Sequence, residues 1–238
     1  MNNIEKGYFE LRDVDPSFYS NTKLPAWLKK ILADYSRNIV ILDYGCGFGQ
    51  TLRALKLEGF LNLYGLDIDN KAIESVKCEG FSVYNANEYK DKSIEFLDGK
   101  EFDICIMSHV LEHFSKDEMI PRLSKVFDSL KPTGKLILIV PNAQSNIGSY
   151  WRWEDFTHEW LFTSGSVKYV LKAAGFNKIE FVDVDSTEGL PFHRKFVKKF
   201  FLYLYKINRL FWNKITSSSY HKQSPNIYSY EIKVVAQK

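Results

Sequence analysis

Two groups of residues in this chain have types and spacings that could do chemistry. The first lies in Ile39 to Gly49, IVILDYGCGFG, where an apolar run leads into Gly45, Gly47 and Gly49. Glycines at alternate positions admit positive φ and let backbone approach a ligand where a Cβ would collide. Eighteen residues after Gly49 stands Asp67, in LYGLDIDN, placed to accept hydrogen bonds from both hydroxyls of a ribose. That spacing alone would also suit a dinucleotide, but Asp43 ahead of the glycines would repel a pyrophosphate and attract a cation. The second group is drawn from five histidines, His109, His113, His158, His193 and His221. His109, Glu112 and His113 sit at i, i+3 and i+4 in SHVLEHF, a spacing that would share one helix turn at the carboxyl edge of a sheet. His158 follows Asp155 in DFTH. Imidazoles and carboxylates so arranged move protons or converge on a divalent ion, and the ion reading takes His109, Glu112, His113 and His158.

The elements that must position these groups alternate along the chain. Helices are expected at 23–35, 51–57, 71–78, 109–113, 117–130 and 166–174, and strands at 39–42, 61–66, 81–84, 102–107, 135–140, 179–184 and 228–236. The first helix carries Leu24, Trp27, Leu28, Ile31 and Leu32 on one stripe. The strands are short apolar runs without polar alternation, as in parallel sheets covered on both faces. The fold class is therefore α/β, doubly wound, with a seven-stranded, mostly parallel sheet. A single domain over 1–238 is expected: an amino-terminal arm and helix to 38, a core over 39–184, an insertion over 185–226 and a last strand over 227–238. Asn142 to Trp153, NAQSNIGSYWRW, reads as a loop.

Four ordered segments resemble the class I S-adenosylmethionine-dependent methyltransferases. DYGCGFG looks like their first motif, LYGLDIDNKAI like the ribose-binding segment, FDICIMSHVLEHF like the fourth strand and its helix, and LKPTGKLILIVPN like the fifth strand. The resemblance covers roughly residues 39–184 and implies a Rossmann-like methyltransferase fold with S-adenosylmethionine as cofactor. It assigns Asp43, Gly45 and Gly47 to the methionine part, Asp67 to the ribose, Ile68 to one adenine face and Asn85 or Asn87 to the adenine edge, with Ser108 near the cofactor. The LEH triplet is similar to ubiquinone-type O-methyltransferases. VPN with DFTHEWLFT is similar to glycan and cofactor O-methyltransferases, in which a histidine after the fifth strand faces the acceptor. That likeness makes His158 the general base or acceptor ligand, with Asp155 its orienting partner; His109, from the SHVLEHF segment, is counted as a further catalytic candidate. Plant small-RNA terminal methyltransferases hold a metal with a similar Glu, Glu, His, His set, but His109 stands where the first Glu would be, so a divalent metal is left open. Tyr150, Trp151 and Trp153 are suited to stacking on sugar or aromatic rings, and Tyr8, Phe9 and Arg12 to closing over the same site.

The net charge of +3 conceals an asymmetry. Residues 187–238 hold 10 Lys and Arg against 2 Asp and Glu, while the rest holds 22 against 27. Arg194 to Ile215 has seven basic and no acidic residues. Its apolar set (Phe196, Val197, Phe200, Phe201, Leu204, Ile207 and Phe211) lies on one helical side, as in interfacial helices. The overall balance argues against a nucleic-acid partner, whereas this segment suits an anionic membrane surface. Three scattered cysteines (Cys46, Cys78 and Cys105) without CxxC spacing suit a reducing compartment, and MNNIEKGYFELRD does not read as a cleaved signal. The expectation is a cytoplasmic enzyme, peripheral on the inner membrane face. It would methylate a hydroxyl of a saccharide or lipid-linked small acceptor in surface-polysaccharide biosynthesis. The alternatives are a metal-assisted RNA 2′-O-methyltransferase and a non-catalytic cofactor-binding accessory subunit.

Overall fold

The computed structural model describes residues 7–20, 22–89, 101–222 and 224–238. The first six residues of the expected arm lie outside the described residues, as does Gln223 of the insertion. Seven strands form one sheet: β1 (Val40–Tyr44), β2 (Asn62–Asp67), β3 (Ser82–Asn85), β4 (Phe102–Ser108), β5 (Leu130–Pro141), β6 (Lys178–Phe181) and β7 (Glu231–Gln237). Their order is β3-β2-β1-β4-β5-β7-β6. β1 runs parallel to β2 and β4, β2 runs parallel to β3, and β6 and β7 are antiparallel. The helices are α1 (Tyr8–Leu11), α2 (Ala26–Leu32), α3 (Gln50–Leu57), α4 (Asn70–Cys78), α5 (Lys116–Ser129), α6 (Gly148–Glu154), α7 (Ser164–Ala173) and α8 (Phe192–Ile215). The expected α/β, seven-stranded architecture is present, with the long helical insertion before the last strand.

The chain divides into two compact units, Met1–Met107 with Asp128–Leu136, and Ser108–Phe127 with Ile137–Lys238. The division cuts through β5 and coincides with none of the sequence boundaries. In the first unit, Ile41, Leu42, Leu52, Leu55, Leu66 and Ile104 are fully buried, which is what apolar strand runs and amphipathic α3 require. In the second, Leu123, Val126, Leu138, Val167 and Leu171 are buried, and the Phe127 and Phe176 rings meet edge to face at 5.1 Å.

Several elements differ from expectation for local reasons. α2 begins at Ala26 because Pro25 lacks an N–H and disfavours helical backbone at Leu24. The expected helix through His109 to His113 does not form. His109 adopts φ 55°, donates its amide to the Ile139 carbonyl at 3.0 Å, and leaves only a short 3-10 turn over Leu111–His113. The segment read as a loop becomes α6. Ahead of it, the Asn142 side-chain amide donates to the Ile227 and Ser229 carbonyls at 2.8 Å each, fixing the point where the chain leaves β5. β6 stops at Phe181, and Asp183 turns the chain with φ 42°.

Candidate functional site

The end of β1 runs into the glycine turn within the first unit. The Gly45 and Cys46 amides donate to the Leu66 carbonyl at 2.7 and 2.9 Å, and the Gly47 amide donates to Asp67 Oδ2 at 2.7 Å. Gly49, at φ 77°, caps α3 in a left-handed conformation that a side chain would strain, and a Cβ there would press on Val76. Asp67 Oδ1 takes the amides of Ile68 and Asp69 at 2.8 and 2.9 Å, so this carboxylate organises the turn as well as ending β2. Ile68 is largely exposed, an apolar platform beside it.

Asp43 is the anomaly in this turn. It is 2% exposed and its Oδ2 has no hydrogen-bond partner. Burial, with the Asp67 charge second, pushes its carboxyl up to about 7. A buried carboxylate with an empty lone pair is costly unless a cation completes it. The α-ammonium of S-adenosylmethionine is such a cation, so the residues present fit this cofactor. Asn85 uses its side chain locally, donating to Asn70 Oδ1 at 2.6 Å and accepting from the Asn87 amide at 2.8 Å. Asn87 is exposed and Ser108, which ends β4, is half-buried. Phe9 from α1 packs on Phe48 with ring centroids 4.8 Å apart, and a Cβ on Gly47 would lie 3.1 Å from its ring. Tyr8 and Tyr19 join this cluster, so part of the expected aromatic arm does lie on the glycine turn.

The second unit assembles the imidazoles. One donor atom each from Glu112, His113 and His158 lies within 4.8 Å of the others. Glu112 is fully buried, with Oε2 unpartnered. His158 is buried and its Nδ1 lies 2.7 Å from the Trp151 carbonyl, an acceptor only, so Nδ1 carries a proton and, in the neutral ring, Nε2 holds the lone pair. His158 Nε2 stands 4.0 Å from Glu112 Oε1 and 3.8 Å from Asp155 Oδ2. The Thr157 hydroxyl donates to Asp155 Oδ1 at 2.7 Å, and therefore accepts from His113 Nδ1 at 2.9 Å. His113 thus also presents Nε2 as a lone pair, and burial, together with the His158 imidazole nearby, lowers its pKa. The two rings meet edge to face at 4.7 Å.

Two residues expected in the site make contacts that the sequence did not indicate. His109 stands outside the set formed by Glu112, His113 and His158: its Nδ1 contacts Glu112 Oε1 at 3.2 Å and its Nε2 contacts Glu231 Oε1 at 3.0 Å. Burial alone would depress its pKa, but the hydrogen bonds and charges of the two glutamates outweigh it and push it up to about 10. With a carboxylate at each ring nitrogen, His109 bridges Glu112 and Glu231. Asp155 Oδ2 stands 3.8 Å from His158 Nε2, beyond hydrogen-bond distance. Its Oδ1 is taken by Thr157, and the Trp151 carbonyl holds the imidazole. Arg152 donates to the His158 carbonyl, adding a second hold on the same residue. Glu231 and the Trp151 carbonyl were not foreseen; the only sequence hint of Glu231 is a lone acid in the apolar strand YSYEIKVVA. Tyr150 and Trp153 project into solvent while Trp151 is half-buried.

A parallel sheet whose first strand enters a glycine turn, with carboxylates at the ends of β1 and β2, defines the fold of the class I S-adenosylmethionine-dependent methyltransferases. The chain belongs to the methyltransferase domain family, whose pattern matches residues 18–180. It is 27% identical over 181 residues to O-methyltransferase 3 of Dictyostelium discoideum, an alignment covering 64% of this chain and 40% of that protein. It is 32% identical over 138 residues to ribosomal protein L11 methyltransferase of Paraburkholderia phytofirmans, covering 53% and 42%. The chain thus spans less than half the length of these curated relatives. Its fold is similar to that of a SAM-dependent methyltransferase from Archaeoglobus fulgidus, with a TM-score of 0.61, 22% identity and coverage of 97% and 98% of the two chains.

Proposed function

We propose that this chain is an O-methyltransferase acting on a hydroxyl of a saccharide or other small acceptor, with His158 as general base. The observation that carries the reading is the fixed tautomer of His158, whose Nδ1 proton is held by the Trp151 carbonyl so that Nε2 is left to accept a proton. S-adenosylmethionine, when bound, supplies a methyl group on a sulfonium, so the acceptor oxygen–carbon bond forms as the carbon–sulfur bond breaks, leaving S-adenosylhomocysteine. The chain must do the rest. Asp43 and Asp67 are the groups to hold the cofactor's ammonium and ribose, and His158 Nε2 takes the hydroxyl proton, with the Glu112 carboxylate 4.0 Å away stabilising the imidazolium. Exposed Tyr150 and Trp153 offer flat faces for a sugar ring. A role in surface-polysaccharide biosynthesis rests on the sequence resemblance, and the O-methyltransferase from Dictyostelium supports oxygen as acceptor.

One observation favours a second reading, in which Glu112, His113 and His158 hold a divalent ion that polarises the acceptor: their donor atoms converge within 4.8 Å and both histidines present Nε2. The deciding experiment is an acceptor screen that follows S-adenosylhomocysteine release from the native chain and from His158→Ala. General-base catalysis requires a fall of about 100-fold or more in kcat with cofactor affinity unchanged. Near-native turnover by His158→Ala would overturn the proposal.

A further inference from the structure

The insertion before β7 is turned the opposite way from an ordinary surface helix. α8 spans 24 residues, and none of them is buried. The side that meets the rest of its unit is the polar one. Lys195, Lys198, Leu202, Tyr205, Arg209 and Asn213 recur at intervals of three and four, and all but Arg209 are partly covered. Lys198 Nζ donates to the Ser186 carbonyl at 2.8 Å, Arg209 Nε donates to the Tyr220 hydroxyl at 3.2 Å, and the Tyr205 ring meets Tyr228 edge to face at 5.5 Å. The preceding turn is pinned as well. Buried Lys233 pairs with Asp183 at 2.9 Å, and Asp183 Oδ1 accepts the amides of Thr187 and Glu188.

The apolar side faces out. Phe196, Phe200, Leu204, Ile207 and Phe211 follow one another at helical spacing, and each is between 44% and 65% exposed. A water-soluble surface does not normally carry so continuous an apolar stripe without a partner. The charge on the same helix selects the partner. It carries seven Lys and Arg and no Asp or Glu of its own, with Asp185 Oδ2 3.9 Å from Lys199 Nζ, and Lys199 and Lys206 stand on the border between the stripe and the attached side. A second copy of this helix, or any groove without acidic residues, would satisfy the stripe but not the surplus of cations. A polyanionic nucleic acid would satisfy the cations but not the aliphatic Leu204 and Ile207. An anionic bilayer satisfies both, taking the stripe into the acyl boundary while lysines reach the headgroups. No helix among the described residues is long and apolar enough to cross a membrane, so the contact is one of lying on the surface.

We infer that the outward face of α8 is a docking surface for an anionic lipid bilayer. The test is co-sedimentation of the full chain with phosphatidylglycerol-containing vesicles and with pure phosphatidylcholine vesicles, at low and high salt. Binding should be selective for the anionic vesicles. It should weaken about fivefold with each of Lys199→Ala and Lys206→Ala, and about tenfold or more with Phe200→Ser or Ile207→Ser. Those side chains lie in solvent, so circular dichroism and cofactor affinity should match the native chain. The inference is overturned if the chain does not bind vesicles or if the serine variants bind like the native chain. It is equally overturned if the stripe instead mediates lipid-independent dimerisation in analytical ultracentrifugation, or if RNA is bound in preference to anionic vesicles.

Discussion

Asp67 Oδ2 accepts the Gly47 amide at 2.7 Å, so the carboxylate that ends the second strand also fastens the glycine turn that follows the first. With Oδ1 taken by the Ile68 and Asp69 amides, one side chain satisfies three backbone donors. Asp67→Ala should therefore cost stability as well as cofactor affinity. A loss of about 2–4 kcal/mol in urea unfolding is expected from three amides deprived of an acceptor, together with at least a tenfold rise in cofactor Kd by calorimetry. Asp67→Asn, which keeps one oxygen, should fall between.

Asp43 links cofactor affinity to pH. Its carboxyl is raised to about 7 in the free protein by burial first and by Asp67 second. A cationic ligand needs the ionised form, so affinity should fall on acidification through about 7. Stability of the free protein should move the other way. A carboxyl that holds its proton more tightly in the folded state than the ordinary value of about 4 loses folding free energy as pH rises from about 4 to about 7. Calorimetric titration and urea midpoints across that range check both signs, and Asp43→Asn should flatten both.

His109 moves stability in the same direction over a higher pH window. Folded, its pKa is about 10; its contribution is complete below the unfolded value of about 6.5 and is lost as pH rises through about 10. The urea midpoint of the native chain should fall between neutral pH and about 10, and that of His109→Gln should not share this fall. The variant should be less stable at neutral pH by about 2 kcal/mol, less than for a fully buried pair because the ring is 34% exposed.

Chelation separates the two readings of the imidazole cluster. With His158 as a proton acceptor, turnover after exhaustive treatment with a chelator should equal that of the untreated chain. Loss of turnover that manganese or zinc restores would assign Glu112, His113 and His158 to an ion. Loss of that restoration in His113→Ala would locate it.

The glycine turn was legible in sequence because its signal is local: Asp43, Gly45, Gly47 and Gly49 alternate over seven residues, and Asp67 lies at the end of the next strand. The imidazole cluster was legible only in part. Spacing placed His109 on a helix with Glu112 and His113, yet a left-handed residue tied to the Ile139 carbonyl ends any helical path there. Its second partner, Glu231, is 122 residues away, and no local pattern signals such a pairing. The group orienting His158 is a backbone carbonyl, which side-chain identity does not encode. For α8, periodicity identified an amphipathic helix correctly, but only tertiary packing decides which side attaches to the domain.

The Phe9 ring rests against Gly47, with Phe48 beside it and Tyr19 behind. The wall of the glycine turn is therefore built partly from a segment some forty residues earlier in the chain. A change that loosens the segment from Tyr8 to Tyr19, such as Phe9→Ala, should therefore speed the release of a nucleoside from that turn, as stopped-flow dissociation of S-adenosylhomocysteine would measure.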